Sequence, residues 1–259
     1  MSFDTPYRGA PAREQVLVHG ASDVERRFMA SVYRWMTGGL ALTALVAFTV
    51  ASSEEALRLV VGNRLVFFGL IIAELGLVVA LSAAAHRLSA AAAGGLFLLY
   101  SALNGATLSV VLLVYTGASV ALAFVSTAGM FLAMSLFATV TRRDLSSWGS
   151  FLFMGLIGVV IASVVNIFLH SSMVTFVVSC MSVVVFTGLT AYDTQKLRAF
   201  AREGGGAGSL AVNGALALYL DFVNLFLALL RLFGVRKLDG PGTSSSCGRR
   251  TGARARGTG

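Results

Sequence analysis

A chain of 259 residues is long enough for one soluble domain or for one compact helix bundle in a bilayer. Its apolar fraction of 56% with only 12% charged residues excludes the first, because a soluble domain carries about twice that charge. The net charge of +8 does not mark a nucleic-acid binder: the basic residues sit at the ends of apolar runs and in both tails, and no basic stripe with interleaved aromatics occurs.

Residues 1–27 are polar, with Pro6, Gly9 and Pro11, and are expected to form a loose tail without a cleavable signal peptide. Apolar runs then follow near 32–52, 65–85, 91–114, 118–140, 151–170 and 172–192. Each is long enough to cross about 30 Å of hydrocarbon at about 1.5 Å per residue. A seventh run covers about 209–233 and is the most polar, with Asp221 and Asn224 at its centre. The expected fold is therefore all-α, with a seven-helix transmembrane domain over 28–237. The joints suit it. Residues 53–64 hold Glu54, Glu55, Arg58 and Arg64 and read as a loop; 141–148 read TRRDLSSW; 203–208 read EGGGAG, a flexible turn. Residues 238–259 have too little apolar surface to bury and are expected to be a disordered, solvated tail.

Orientation follows from lysine and arginine. The side that holds the N-terminus also receives Arg26, Arg27, Arg87, Arg142, Arg143, Lys196, Arg198 and Arg202, and the other side receives Arg58 and Arg64. The N-terminus is thus expected in the cytoplasm. A full seventh span, expected from its length, puts Arg236 and Lys237 on the far side; a re-entrant segment would keep them on the near side.

Three carboxylates fall within the apolar pattern. Glu74 lies well inside the second span, where it either supports an ion pathway or ties two helices together. Asp221 lies at the middle of the seventh, a position that costs about 2.5–3.5 kcal/mol for an acidic residue. Asn224 shares its face at i+3, which allows a purely structural helix-to-helix hydrogen bond. Asp193 follows the sixth apolar run and resembles a solvated helix end. However, the midpoint of 193 and 221 is 207, inside the glycine-rich turn. If helices six and seven form an antiparallel hairpin about that turn, the two aspartates sit at similar depth and meet. Two carboxylates in contact inside a bundle disfavour each other's charge and share a proton as one coupled unit. Deprotonated, they offer up to four hard oxygens, a set that suits Ca²⁺. Ca²⁺ takes roughly six to eight oxygens, so the coordination is weak and fits passage better than storage.

Two segments make the chain recognisable. TAYDTQK (190–196) and ALALYLDFVNLFLALLR (215–231) resemble the C-terminal signatures of the Bax inhibitor family, the proteins with a transmembrane Bax-inhibitor motif. ELGLVVALS (74–82), LNGATLS (103–109) with Tyr115 and Thr116, and TRRDLSSWGSFLFMGLIG (141–158) extend the likeness over about residues 28–237. The resemblance implies a bundle with the last helix at its centre and a pH-sensitive Ca²⁺ leak. It also implies a proton-sensing aspartate pair that matches Asp193 and Asp221. One feature departs from the family. Its bacterial members carry a basic residue near the end of the second helix that latches onto the sixth-helix aspartate; here Ala84 and Ala85 stand in those places. Either the latch is missing or Arg87 reaches in by its long stem.

Two functions are therefore expected in order: a Ca²⁺ leak channel of a bacterial inner membrane, gated by protonation of Asp193 and Asp221, or a regulatory protein that binds other membrane proteins such as a protease or a cell-death regulator. The expected partners are Ca²⁺, the lipid bilayer and, for the second reading, other membrane proteins. An enzyme is not expected. His19, His86 and His170 are scattered, Cys180 and Cys247 lack metal-ligand spacing, and no nucleophile elbow or phosphate loop occurs. No resident cofactor is expected, with Ca²⁺ as the transported ion. The topology predicts that cysteines placed at Ala10 and Gly205 label with an impermeant thiol reagent from the same face of sealed vesicles. Labelling from opposite faces would overturn the first six spans.

Overall fold

The computed structural model describes residues 10–85, 87–141, 143–203 and 208–237, with side chains described from Asp23 onward. Among the described residues eight α-helices run in chain order: α1 (Ala10–Ser52), α2 (Glu54–Val60), α3 (Arg64–Ala83), α4 (Ala90–Val114), α5 (Gly117–Val140), α6 (Gly149–Leu169), α7 (Ser172–Arg202) and α8 (Gly208–Phe233). All but α2 contain a stretch long and apolar enough to cross a membrane. This is an integral membrane protein, and the all-α, seven-span fold is the one expected.

Several helices start on a polar cap. The side chains of Asn63, Ser89, Thr116 and Ser171 accept backbone N–H groups of the first turns of α3, α4, α5 and α7. These donors have no partner within their own helix, and hydrocarbon offers none. The α6–α7 link is a single tight turn. His170 takes a left-handed conformation, φ 49°, and Asn166 accepts the Ser171 N–H at 3.1 Å while donating to the Thr175 hydroxyl at 2.7 Å.

Three expectations need correction. The N-terminal segment is helical from Ala10 where a loose tail was expected; Pro11, the only proline of α1, sits in the first turn, where a missing N–H costs nothing. Residues 54–60 form a short helix rather than a loop, because Ser53 caps it and Glu54 and Glu55 occupy the positive end of its dipole. The helix of the sixth span does not end at 192. α7 has 31 residues and is roughly 46 Å long, so its last three turns, with Lys196, Arg198 and Arg202, run past the hydrocarbon depth. The expected turn at 204–207 and the tail at 238–259 lie outside the described residues.

The most buried helix is α8, which packs against α1, α4, α5 and α7. Tyr219, Leu218, Leu225 and Val212 along it have no exposure. By contrast α3 and α6 present broad apolar faces outward, with Leu65, Phe68, Ile72, Phe153, Ile161 and Phe168 exposed, as lipid-facing helices must. Past its end, α8 meets the turn between α4 and α5. Arg236 pairs with Tyr115 in a β-bridge, Val235 donates to the Ser119 hydroxyl at 2.9 Å, and Lys237 donates to the Leu112 carbonyl at 2.7 Å. That turn follows the third crossing, so α8 runs the full length of the bundle and is not re-entrant.

Near the opposite end, α1 is clasped to α7. Glu25 is buried and accepts from Arg198 and, at 2.7 Å, from Arg202. Higher up, α1 and α4 approach closely at Gly105, where an added Cβ would lie 2.6 Å from the Thr43 carbonyl oxygen. Gly105→Ala should therefore destabilise the bundle by about 1–3 kcal/mol, while Gly95→Ala, which meets nothing within 4 Å, should be neutral. Thermal unfolding of both variants in detergent checks this; equal midpoints would show that the α1–α4 contact tolerates a methyl group.

Candidate functional site

Each residue of the segment from Tyr192 to Lys196 has a separate role in the structure. On α7, Thr194 is fully buried and its hydroxyl lies 3.4 Å from that of Ser135 on α5. Gln195 faces the loop after α5. Its carbonyl accepts the Leu145 N–H at 2.7 Å and its amide donates to the Arg143 carbonyl at 2.9 Å. In that loop Asp144 accepts from the N–H and hydroxyl of Ser146, and these bonds hold its carboxyl below the usual carboxylate range. Lys196 places its ammonium 5.7 Å from the centre of the Tyr192 ring, a cation–π approach.

Asp193 is left facing two cavities. The loop-side cavity, about 950 Å³, lies between the loop after α5, the last turns of α7 and the start of α8. The core-side cavity, about 530 Å³, lies between α6, α7 and α8, and Asp221, Asn224 and Ser150 are among its walls. It exists because α6 packs chiefly on α7 and leaves a crevice beside α8. Tyr192, Asp193, Lys196 and Ala217 line both cavities and form the partition between them.

The hairpin brings the two aspartates to one place, as the spacing about residue 207 requires. Asp193 and Asp221 line the same core-side cavity, and Asp221 lies within coulombic reach of Asp193. Asp221 is 4% exposed, and its Oδ2 has no hydrogen-bond partner among the described residues. A structural helix-to-helix bond would have satisfied that oxygen. Asn224 does not satisfy it: its amide donates to the Leu220 carbonyl at 2.8 Å, on its own helix. Asn224 and Ser150, whose side chains carry neutral oxygens, line the same cavity as the two aspartates. Among the described residues no cluster of three or more acidic, histidine or cysteine side chains gathers anywhere.

Glu74 is not brought to this pair. It accepts from the Thr107 hydroxyl at 2.9 Å and the Asn104 amide at 3.3 Å, both on α4. Asn104 in turn accepts from the Tyr219 hydroxyl at 3.1 Å, which lies 2.6 Å from that of Thr43. One hydrogen-bonded chain thus joins α3, α4, α8 and α1 through the bundle. α3 is the least buried of the membrane-spanning helices, and Glu74 is its polar tie. Arg87 stands in the turn between α3 and α4, exposed, and forms no ion pair among the described residues. The cation within coulombic reach of Asp193 is Lys196, one turn along the same helix. Sequence reasoning missed Gln195, Lys196 and Tyr219 as contributors; the i+2 and i+3 offsets from Asp193 were a signal for the first two.

Residues 25–237 match the family model described as Inhibitor of apoptosis-promoting Bax1. The chain is similar to the inner membrane protein YbhL of Escherichia coli (strain K12), 53% identical over 215 residues, which cover 81% of this chain and 92% of YbhL. It is 47% identical over 213 residues to an uncharacterized protein of Deinococcus radiodurans, covering 81% of this chain and 91% of that one. An uncharacterized protein of Borreliella burgdorferi is 41% identical over 220 residues, covering 83% and 95%.

The two Gln195 bonds fix the loop that carries Arg143, and each is worth about 1 kcal/mol. Gln195→Ala should therefore speed tryptic cleavage in residues 141–148 roughly thirtyfold, measured by mass spectrometry of fragments from reconstituted protein. An unchanged cleavage rate would show that other contacts hold the loop.

Proposed function

The chain belongs to the Bax inhibitor family, and we propose that it is a pH-sensitive Ca²⁺ leak protein of a bacterial inner membrane, non-enzymatic, with Asp193 and Asp221 as both proton sensor and ion site. The observation that carries this reading is the Asp221 carboxyl, buried, lacking a partner on Oδ2, and sharing a cavity with Asp193. A buried carboxylate without a partner is costly to keep in a bilayer, and such residues mark ion and proton pathways.

The chemistry follows from the oxygens present. With both aspartates ionised, two adjacent negative charges face one cavity and attract a divalent cation. Asn224, Ser150 and water complete a loose oxygen shell, loose enough for the ion to leave. When the pair takes up a proton, one charge is lost and so is much of that attraction. Ca²⁺ is the cargo. The family resemblance favours Ca²⁺ over other cations, and the hard oxygens agree with it. The printed name of YbhL, an inner membrane protein, supports the location. The N-terminus lies in the cytoplasm on this reading. Glu25 binds Arg198 and Arg202, so the start of the first span and the end of α7 lie at one end of the bundle, together with the basic residues that favour the cytoplasmic face.

Asp193→Asn and Asp221→Asn should each flatten the pH dependence of Ca²⁺ flux over a series from about pH 5 to 8, and the double substitution should add little to either. Asparagine keeps the shape and cannot titrate. The measurement is flux into dye-loaded liposomes containing purified protein alone, with folding of every variant verified. Single variants that keep the parent's pH profile would make the aspartates structural groups and overturn the proposed gating.

A further inference from the structure

Lys196 has no part in the mechanism above, yet it is the one cation on the partition between the two cavities. It lines both, together with Tyr192, Asp193 and Ala217. The arginines on the walls of the loop-side cavity, Arg143, Arg198 and Arg202, do not line the core-side cavity. Arg198 and Arg202 bind Glu25, and Arg198 also donates to the Thr139 carbonyl at 2.8 Å. The Arg143 backbone belongs to the loop held by Gln195. Three acidic side chains, Asp144, Asp193 and Glu203, stand on the walls of the same cavity, so it is not a strongly cationic bowl suited to an anion. The positive charge of interest is local. It sits on one ammonium, parked over the Tyr192 ring, between the loop-side space and the two aspartates.

We propose that Lys196 is a charge barrier at this partition, which sets how readily a cation in the loop-side cavity reaches the Asp193–Asp221 carboxylates. A cation crossing there must pass a positive charge, whereas an anion or a neutral molecule of the same size meets no such repulsion. Over Tyr192 the ammonium is held by the ring face and leaves the partition unblocked by contact. Turned toward Asp193, one helical turn away, it pairs with that carboxylate and competes with an incoming cation for it. In this second position Lys196 does from α7 what a basic residue at the Ala84 or Ala85 position would do from α3. The effect on Ca²⁺ rests on the leak reading; the electrostatic barrier does not.

The test reads the barrier without using Ca²⁺ flux. In a background with Cys180→Ala and Cys247→Ala, a single cysteine is placed on the core-side cavity wall as Leu220→Cys, with Asn224→Cys as a second reporter. Cationic, anionic and neutral methanethiosulfonate reagents of similar size are applied to the reconstituted protein, and their modification rates are compared. Lys196→Gln should raise the cationic-to-anionic rate ratio about tenfold, the effect of one unit charge over several ångströms at intermediate dielectric, and leave the neutral rate unchanged. Lys196→Arg should keep the parent ratio. A ratio unmoved by Lys196→Gln at both reporters overturns the proposal. So does a change in the neutral rate alone, which would mean that Lys196 fills space and its charge is irrelevant. Ca²⁺ flux measured in parallel separates the two claims: a parent protein that carries no Ca²⁺ ends the leak reading, while the barrier stands or falls on the rate ratio.

Discussion

A carboxylate inside a bilayer must face protein or water, because hydrocarbon solvates neither its charge nor its hydrogen-bonding oxygens. In this bundle that constraint is concentrated on one residue, Asp221, on the most buried helix. Among the described residues its Oδ2 has no hydrogen-bond partner, and the other aspartate of the same hairpin lies within coulombic reach. The features that surround it follow from that placement. α7 and α8 pack side by side as a hairpin, and this places Asp193 on the wall of the cavity that Asp221 lines. α6 has to stand away from α8, or the crevice that holds both carboxylates would close. The Glu25 clasp fixes the end of α7, and Gln195 fixes the loop beside it, so Asp193 projects from a helix held at both neighbouring surfaces.

The contrast with Glu74 shows how burial alone does not make an ion site. Glu74 is also an acid within a membrane span, but a hydroxyl and an amide on α4 saturate the face it presents to the bundle. Its chain of hydrogen bonds through Asn104 and Tyr219 to Thr43 ties four helices together. Nothing comparable satisfies Asp221. The two acids differ in what the neighbouring helices offer them, and this difference separates a structural tie from the candidate ion site.

Much of this was legible in the sequence, for particular reasons. Seven spans could be read because hydrocarbon thickness fixes a minimum apolar length. That Asp193 and Asp221 share one cavity could be read because an antiparallel hairpin brings residues equally spaced about residue 207 near each other. The true end of α7 could not be read from hydropathy. A helix continues through residues 193–202 as well as through apolar ones, since nothing there breaks it, and the basic side chains only record where the hydrocarbon stops. The helix from Ala10 and the short helix at 54–60 were hidden for the same reason: their polar sequences suit a solvated helix as well as a loop. The separation of Glu74 from the aspartates depended on which face of α3 packs on α4, and the apolar pattern of α3 is nearly uniform around its axis. Arg87 was a nearest-in-sequence substitute for a latch; the turn that holds it turns outward, and Lys196, on α7 itself, is the cation beside Asp193.

The account turns on Asp193 and Asp221 acting as one proton-binding unit. Infrared difference spectroscopy of the carboxyl C=O stretch across a pH series, on reconstituted parent, Asp193→Asn and Asp221→Asn, reads this directly. The account predicts that removing either aspartate shifts the titration midpoint of the one that remains, because each senses the charge of the other. Two carboxyl bands that titrate independently, each deleted by its own substitution with the other midpoint unchanged, would contradict it.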